Sequence, residues 1–201
     1  MLAPYFDKEK VEVGLDEVGR GCLAGPVVAA AVILPKGFKS DILNDSKKVT
    51  KSNRNKLRLE IQEKALAYYV AEVSHEEIDK INILNASFLA MHLALDQIKI
   101  PFDLLLVDGN RFNPYKDVPF ECIIKGDGKY ASIAAASILA KTYRDELMED
   151  LAKTYPGYGW ETNVGYPTKA HREGIRVLGE TPLHRKSFKL LPEQLEINYT
   201  K

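Results

Sequence analysis

The chain has 201 residues, 45% hydrophobic and 28% charged, the balance of one globular domain rather than of a fibrous or disordered protein. Its 28 Lys and Arg cancel 28 Asp and Glu, so net charge gives no pointer to nucleic acid or to an acidic membrane. Two cysteines cannot make a disulfide framework, no apolar run nears membrane-spanning length, and MLAPYFDKEK lacks the basic-then-apolar layout of a secretory signal; the expectation is a reduced, cytoplasmic setting away from membranes.

After a loose lead over residues 1–10, Val11 to Leu15 alternates as a strand and delivers two adjacent carboxylates, Asp16 and Glu17, at its end. A tight Gly19-Arg20-Gly21 turn and Gly25-Pro26 precede Val27 to Leu34, an apolar run suited to a buried strand. Gly19-x-Gly21-x-x-Ala24 also fits the dinucleotide-binding spacing, which a nicotinamide-dependent oxidoreductase would use. That fingerprint must open a helix, whereas Pro26 and the β-branched residues after it predict a strand, and the acidic pair would repel a pyrophosphate.

Pro35-Lys36-Gly37 is turn chemistry, and Thr50-Lys51-Ser52 offers a helix start. Leu57, Ile61, Ala65 and Leu66 set a helix over Ser52 to Leu66, followed by a strand from Tyr68 to Val73 and a short helix from Glu76 to Asn82. A longer helix over Asn85 to Ile98 has a core face of Leu84, Phe88, Met91, Leu95 and Ile98, with His92 beside it as a packing residue, and Pro101 stops it. Leu104 to Val107 is the continuously apolar strand of a sheet centre and ends on Asp108. Phe120 to Lys125 is a fifth strand running into Gly126-Asp127-Gly128.

From Ala131 to Tyr155 a long helix begins with small residues that let it approach the sheet closely, and Ile133, Ser137, Ala140, Leu147 and Leu151 mark its stripe. A helix over Thr168 to Leu178 and a short one after Pro192 complete the chain. This order predicts an α/β fold with a mixed central β-sheet flanked by helices.

Asp16, Glu17, Asp108 and Asp127 each fall at or just beyond the end of a predicted strand, the edge where an open α/β sheet binds ligands. Four carboxylates there repel one another unless cations neutralise them, and all-oxygen ligands suit Mg²⁺ or Mn²⁺ rather than zinc. Two such ions ~3.5–4 Å apart can activate water and stabilise a leaving oxygen. Taken singly, Asp108 and Asp127 also suit plain turns. Lys47, Lys48, Lys51, Arg54, Lys56 and Arg58 form one basic run; Lys169, Arg172, Arg176, Arg185, Lys186 and Lys189 form another. Such faces fit a phosphate backbone, or simply solvent, and would equally serve a non-catalytic hybrid-binding module.

GLDEVGRGCLAGPVVAAAVIL resembles the first signature block of the type 2 ribonucleases H, the bacterial ribonuclease HII family. Asn44-Asp45-Ser46-Lys47-Lys48, Val107-Asp108-Gly109, Lys125-Gly126-Asp127 leading into SIAAASILAKTYRD, and Gly165-Tyr166-Pro167-Thr168 with His184-Arg185-Lys186-Ser187-Phe188 follow in the family's order, so the likeness spans roughly Lys10 to Leu190. Cys22 stands where many relatives are expected to carry proline, which alters loop stiffness and removes no functional group.

The resemblance implies a ribonuclease H-like fold, with residues 1–155 as the catalytic domain and 156–201 as a small helical extension packed on it. It implies hydrolysis of the RNA strand of RNA/DNA hybrids and incision 5′ of single ribonucleotides embedded in duplex DNA, as in ribonucleotide excision repair, leaving 5′-phosphate and 3′-hydroxyl ends. Asp16, Glu17, Asp108 and Asp127 become ligands of two Mg²⁺ or Mn²⁺ ions. Gly19, Arg20 and Gly21 grip the backbone around the ribonucleotide, and Tyr166 packs on the sugar that follows it. Ser46, Lys47, Lys48, His184 and Arg185 are candidates for duplex contacts. Read without the family, Arg20 also suits an ion pair with Glu17, Tyr166 a plain turn, and the lysines solvent. Asp145 takes a supporting role, with Arg144 in surface pairs. The protein is expected to act as a monomer.

Overall fold

The computed structural model describes residues 2–192, so the short helix expected after Pro192 lies outside the described residues. One sheet contains β1 (Glu12–Val18), β2 (Val27–Ile33), β3 (Ala67–Val73), β4 (Leu104–Asp108) and β5 (Phe120–Ile123), in the order β3-β2-β1-β4-β5. β1 and β2, and β2 and β3, pair antiparallel, whereas β4 joins β1 and β5 joins β4 in parallel. The mixed sheet follows from the connections. The loop over residues 19–26 returns β2 antiparallel to β1, the longer connection carrying α1 returns β3 beside β2, and the parallel partner β4 needs the long crossover that α2 (His75–Ile81) and α3 (Ile83–Asp96) help supply.

β1 runs further than its apolar residues suggest. Asp16 and Glu17 lie within the strand, opposite Ala30 and Ala29 of β2, rather than beyond its end. β2 is fully buried along its length, so each of its backbone groups needs a partner; β3 supplies one edge and β1 the other, by extending through both acids.

The sheet separates two cores. Val13, Leu15, Val27, Ala29, Leu105 and Val107 pack against Ile78 of α2 and Phe88, Met91 and Leu95 of α3. On the other face Val28, Ala30 and Val32 meet Leu57 and Ile61 of α1 (Lys51–Lys64) and the first half of α4 (Ala131–Thr154). Thr50 caps α1 by accepting the Asn53 N–H at 3.3 Å, an arrangement worth about 1 kcal/mol. Leu66 falls past the helix end and is 58% exposed instead of joining the core face.

Every residue from Ala131 to Ala140 is buried, and the small side chains there permit a very close approach to β1. Farther along, the expected stripe turns. Arg144, Met148 and Ala152 are buried, while Leu147 and Leu151 are only half-buried. The cause is a change of partner: this half of α4 leaves the sheet and packs with Leu23, Trp160, Val164 and Ile175, from the first loop, α5 (Trp160–Asn163), its C-terminal neighbour and α6 (Lys169–Leu178). α5 was not foreseen, and nor was the single 3-10 turn at Gly126–Gly128.

The first basic run does not form a free face. Lys51 meets Glu149 and Arg58 meets Glu146, each at 2.6 Å, and Arg54 reaches Asp145 at 3.5 Å. These acids belong to α4, so cations and anions that are segregated in sequence become partners across the α1–α4 contact. His92 packs as expected, its Nε2 lying 3.0 Å from the Asn113 carbonyl oxygen and its ring against Phe112 and Tyr115. No helix among the described residues is long and apolar enough to cross a membrane.

A Cβ added at Gly14 would stand 2.2 Å from the Ser132 carbonyl carbon, so the β1–α4 contact closes over bare backbone. Gly14→Ala is expected to lower stability by about 3 kcal/mol, read as a lower urea midpoint at unchanged slope. An unchanged midpoint would show that α4 is free to move away from β1.

Candidate active site

Parallel pairing of β1 with β4 aligns Leu15 with Val107, which sets Asp16 and Asp108 next to one another at one edge of the sheet. The 3-10 turn adds Asp127, and its first residue donates Gly126 N–H to Asp108 Oδ1 at 2.6 Å. Burial pushes the Asp16 carboxyl well above the usual carboxylate range, and the charges of Glu17 and Asp108 push the same way. Opposing them are a hydrogen bond from Ser137 and one from the Glu17 N–H at 2.7 Å.

Glu17 is also raised by burial and by Asp108, although Arg20 holds it at 3.1 Å and Lys47 adds positive charge. The pleat alternates faces, yet the charge of Asp108 acts on both Asp16 and Glu17, so the acids form one electrostatic group. Burial, Asp108 and Asp45 raise Asp127, whose carboxyl hydrogen-bonds to the carboxyl of Asp45. Two carboxyls in that relation share a proton unless a cation replaces it.

Beside the acids, the loop from Gly19 to Pro26 hangs on two guanidinium groups. Arg144 donates to the carbonyls of Pro26 (2.9 Å), Val164 (2.7 Å) and Ala24 (3.1 Å). Arg185 donates to those of Gly25 (3.0 Å), Arg20 (3.0 Å) and Gly19 (2.8 Å). Gly19 has φ +93° and stacks directly on Arg144, with no room for a side chain. With the carbonyls turned inward, no hydrogen bond among the described residues engages the N–H of Arg20 or Gly21. Cys22 closes the turn by donating N–H to Gly19 O at 3.3 Å, which proline could not do, and its thiol lies 3.7 Å from Val164 O.

Tyr166 stands across from this turn, 37% exposed, with its ring 3.8 Å from where a Gly21 Cβ would be. The arrangement is an acidic sheet edge, a loop whose Arg20 and Gly21 N–H groups make no hydrogen bond among the described residues, and an exposed aromatic ring, all from one chain.

Comparison with known proteins gives this arrangement a family. The chain matches the family described as Ribonuclease HII over residues 13–191. It belongs to the ribonuclease HII family. It is similar to the ribonuclease HII of Parabacteroides distasonis, 61% identical over 199 residues that cover 99% of this chain and 100% of that protein. It is 60% identical to the ribonuclease HII of Christiangramia forsetii over 195 residues, 97% of this chain and 98% of the relative. The crystal structure of the ribonuclease H2 from Pyrococcus horikoshii OT3 shares the fold with TM-score 0.73 at 26% identity, covering 89% of this chain and 94% of that one.

Family membership brings divalent-metal catalysis with it. Among the described residues no three His, Cys, Asp or Glu side chains are drawn together tightly enough to hold a metal ion by themselves. An open set of oxygen donors with unrelieved repulsion is what an ion that keeps waters and takes substrate phosphate oxygens needs.

Several expected ribonuclease HII contacts are relocated. His184 (1% exposed) and Arg185 (0%) are interior, His184 against His171 and Arg185 on the carbonyls of the first loop. They brace the loop and cannot lie against a duplex. The physical cause is the backbone pairing of this segment with the first loop: Ala24 bridges His184, and Arg185 N–H donates to Leu23 O at 2.8 Å. Ser46 is 3% exposed, and its hydroxyl pairs with Ser137 at 2.8 Å, so it props Asp16 through Ser137. Arg144, expected in surface pairs, is 0% exposed.

Lys47 and Lys48 are exposed, Lys47 with its charge felt by Glu17 and Asp127 and Lys48 beside Asp45 at 3.8 Å. Asp145 accepts from Lys141 at 2.6 Å and from Arg54. Sequence reasoning missed Asp45 and Ser137. Asp45 was visible as the one acid beside Ser46-Lys47-Lys48, whereas nothing in the pattern distinguished Ser137 from its small neighbours.

Because Asp16, Glu17 and Asp127 are held above their ordinary values, the folded chain binds more protons than the unfolded one, and stability falls as pH rises through the folded values. In EDTA at pH 7, Asp16→Asn is expected to melt ~2–4 °C above the parent, with the gap closing toward pH ~4. A lower melting temperature for the variant would mean that the Asp16 charge is stabilised in the folded chain.

Proposed function

We propose that the edge bearing Asp16, Glu17, Asp108 and Asp127 is the hydrolytic centre of this ribonuclease HII, and that Gly19, Arg20, Gly21 and Tyr166 select the ribonucleotide. The chain is an endoribonuclease acting on RNA/DNA hybrids and on ribonucleotides embedded in duplex DNA. The observation that carries the site is the meeting of Asp16, raised by burial and by the charges of Glu17 and Asp108, with Asp108 itself where parallel strands β1 and β4 run side by side, next to the raised Asp127.

The donor set fits Mg²⁺ or Mn²⁺, since it is all oxygen and has charge to be neutralised. Asp16, Glu17, Asp108 and Asp127 would hold two such ions, which when bound supply charge that makes water a better nucleophile and offsets charge on the leaving oxygen. The protein's own residues do the placing. The Ser46–Ser137 pair fixes the Asp16 carboxylate on one side, and Gly126 N–H fixes Asp108. Asp45 holds Asp127 and is in turn held by Lys47 N–H at 2.9 Å.

Incision 5′ of the ribonucleotide, leaving 5′-phosphate and 3′-hydroxyl ends, requires the cut phosphate on the acids and the 2′-hydroxyl on the glycine loop. The N–H groups of Arg20 and Gly21 are donors of the kind that read a 2′-hydroxyl or a phosphate oxygen. Arg20 is paired with Glu17, so binding a phosphate means exchanging one anion for another without moving the charge far. Lys47 and Lys48 remain exposed for the flanking duplex. One chain supplies every part, so a monomer suffices. The two free cysteines, Cys22 and Cys122, suit the reducing cytoplasm.

The test is cleavage of a labelled DNA duplex carrying one ribonucleotide, with Mg²⁺, Mn²⁺ or EDTA. Metal-dependent incision on the 5′ side is expected, with Asp16→Asn and Asp108→Asn slower by ~10³-fold or more while duplex binding persists. Full activity in either variant would remove that residue from the centre, and binding without cleavage by the parent would turn the protein into a non-catalytic hybrid binder.

A further inference from the structure

Beneath Tyr166 lies a buried imidazole whose protonation state the surroundings dictate. His171 is 0% exposed in the first turn of α6, with Nδ1 2.9 Å from the Tyr166 carbonyl oxygen. A carbonyl only accepts, so Nδ1 carries the proton and Nε2 of the neutral ring is a lone pair. Trp160 Nε1–H, which can only donate, meets that lone pair at 2.9 Å. His184 Nε2 lies 3.1 Å from the same atom. On His184, Nδ1 accepts the Thr181 N–H at 2.8 Å, which leaves Nε2 as the protonated nitrogen that donates to His171.

One proton assignment is compatible with all of these contacts, with the Trp160 and His184 donors sharing the single lone pair of His171 Nε2. Burial keeps both rings neutral, lowering His171 and bringing His184 down to about 4.

We propose that His171 is a positioning residue for ribonucleotide recognition: its Nδ1–H fixes the Tyr166 carbonyl, and Trp160 and His184 fix its tautomer. The proposal rests on Tyr166 being the ring that meets the sugar after the ribonucleotide. The Tyr166 backbone is clamped at its N–H by Asn163 O (2.9 Å) and at its carbonyl by Thr168 N–H (2.8 Å) as well as by His171. Of these donors and acceptors, only the imidazole is a side chain wired to a second segment. Through His184 and Thr181 it ties the ring's position to the same C-terminal segment that holds the glycine loop through Arg185. The loop and the ring, which meet the ribonucleotide and the sugar after it, thus share one anchor.

The experiment compares kcat/KM on a duplex with one ribonucleotide and on a long RNA/DNA hybrid, for H171F, H171N, Y166A and H171F/Y166A. Phe keeps the ring and removes the donor, and Asn places an amide nitrogen near the Nδ1 position. H171F is expected to lose ~10-fold on the single ribonucleotide and less than ~2-fold on the long hybrid, with H171N recovering to within ~3-fold of the parent. The double variant should be no worse than Y166A.

Equal loss on both substrates, or additive loss in the double variant, overturns the positioning role while leaving Tyr166 in place. An unchanged Y166A overturns the reading of Tyr166 itself, and the proposal with it. Should H171F fail to fold, ¹⁵N NMR of the parent at pH 7 decides. The Nδ1–H form of His171 with the Nε2–H form of His184 is expected, and the opposite tautomers or a charged ring would overturn the scheme.

Discussion

Two guanidinium groups, each fully buried and with no carboxylate at ion-pair distance among the described residues, hold the centre of this molecule. Removing such an ion from water costs several kcal/mol, and here the return comes from backbone dipoles rather than from an opposite charge. Arg144 arrives from α4 and Arg185 from the C-terminal segment, and between them they take up carbonyls from Gly19 to Pro26 and from Val164. Arg185 feels the cost, its guanidinium drawn down to about 10, chiefly by burial. The loop's shape is therefore set by charge–dipole contacts from two distant parts of the chain. Residues after α4 are a structural condition for the site rather than an appendage.

A second tension runs beside the first. Cations sit under the glycine loop and carboxylates sit at the adjoining sheet edge, with Arg20 and Lys47 between them. A chain with zero net charge thus maintains two fields of opposite sign within one site. Neither field would survive in water-filled surroundings, and the fully buried stretch Ala131–Ala140 behind Asp16 keeps solvent away from the acids' rear.

Much of this could be read in the sequence because short-range periodicity dictates it. The run Leu104 to Val107 could only be a central strand, and the Ala-Ser-rich start of α4 foretold a close approach, which Gly14 completes. The four carboxylates drew notice because each falls at or just beyond the end of a predicted strand, although Asp16 and Glu17 lie within β1 itself. What escaped depended on long-range partners. Arg144 and Arg185 look like surface cations until the segments that bury them are in place. His184 looked like a contact for the duplex because a histidine beside two basic residues gives no sign that Thr181, His171 and Trp160 surround it. Likewise, a basic run on α1 and an acidic run on α4 are each unremarkable alone, and their complementarity appears only when the helices touch.

That last contact has a consequence for how the enzyme meets DNA. Cations already neutralised by α4 release few condensed counterions from a duplex, so little of the first basic run's charge is left to attract DNA. The run's count of cations therefore overstates its attraction to a duplex, and its charge serves the contact between α1 and α4 first.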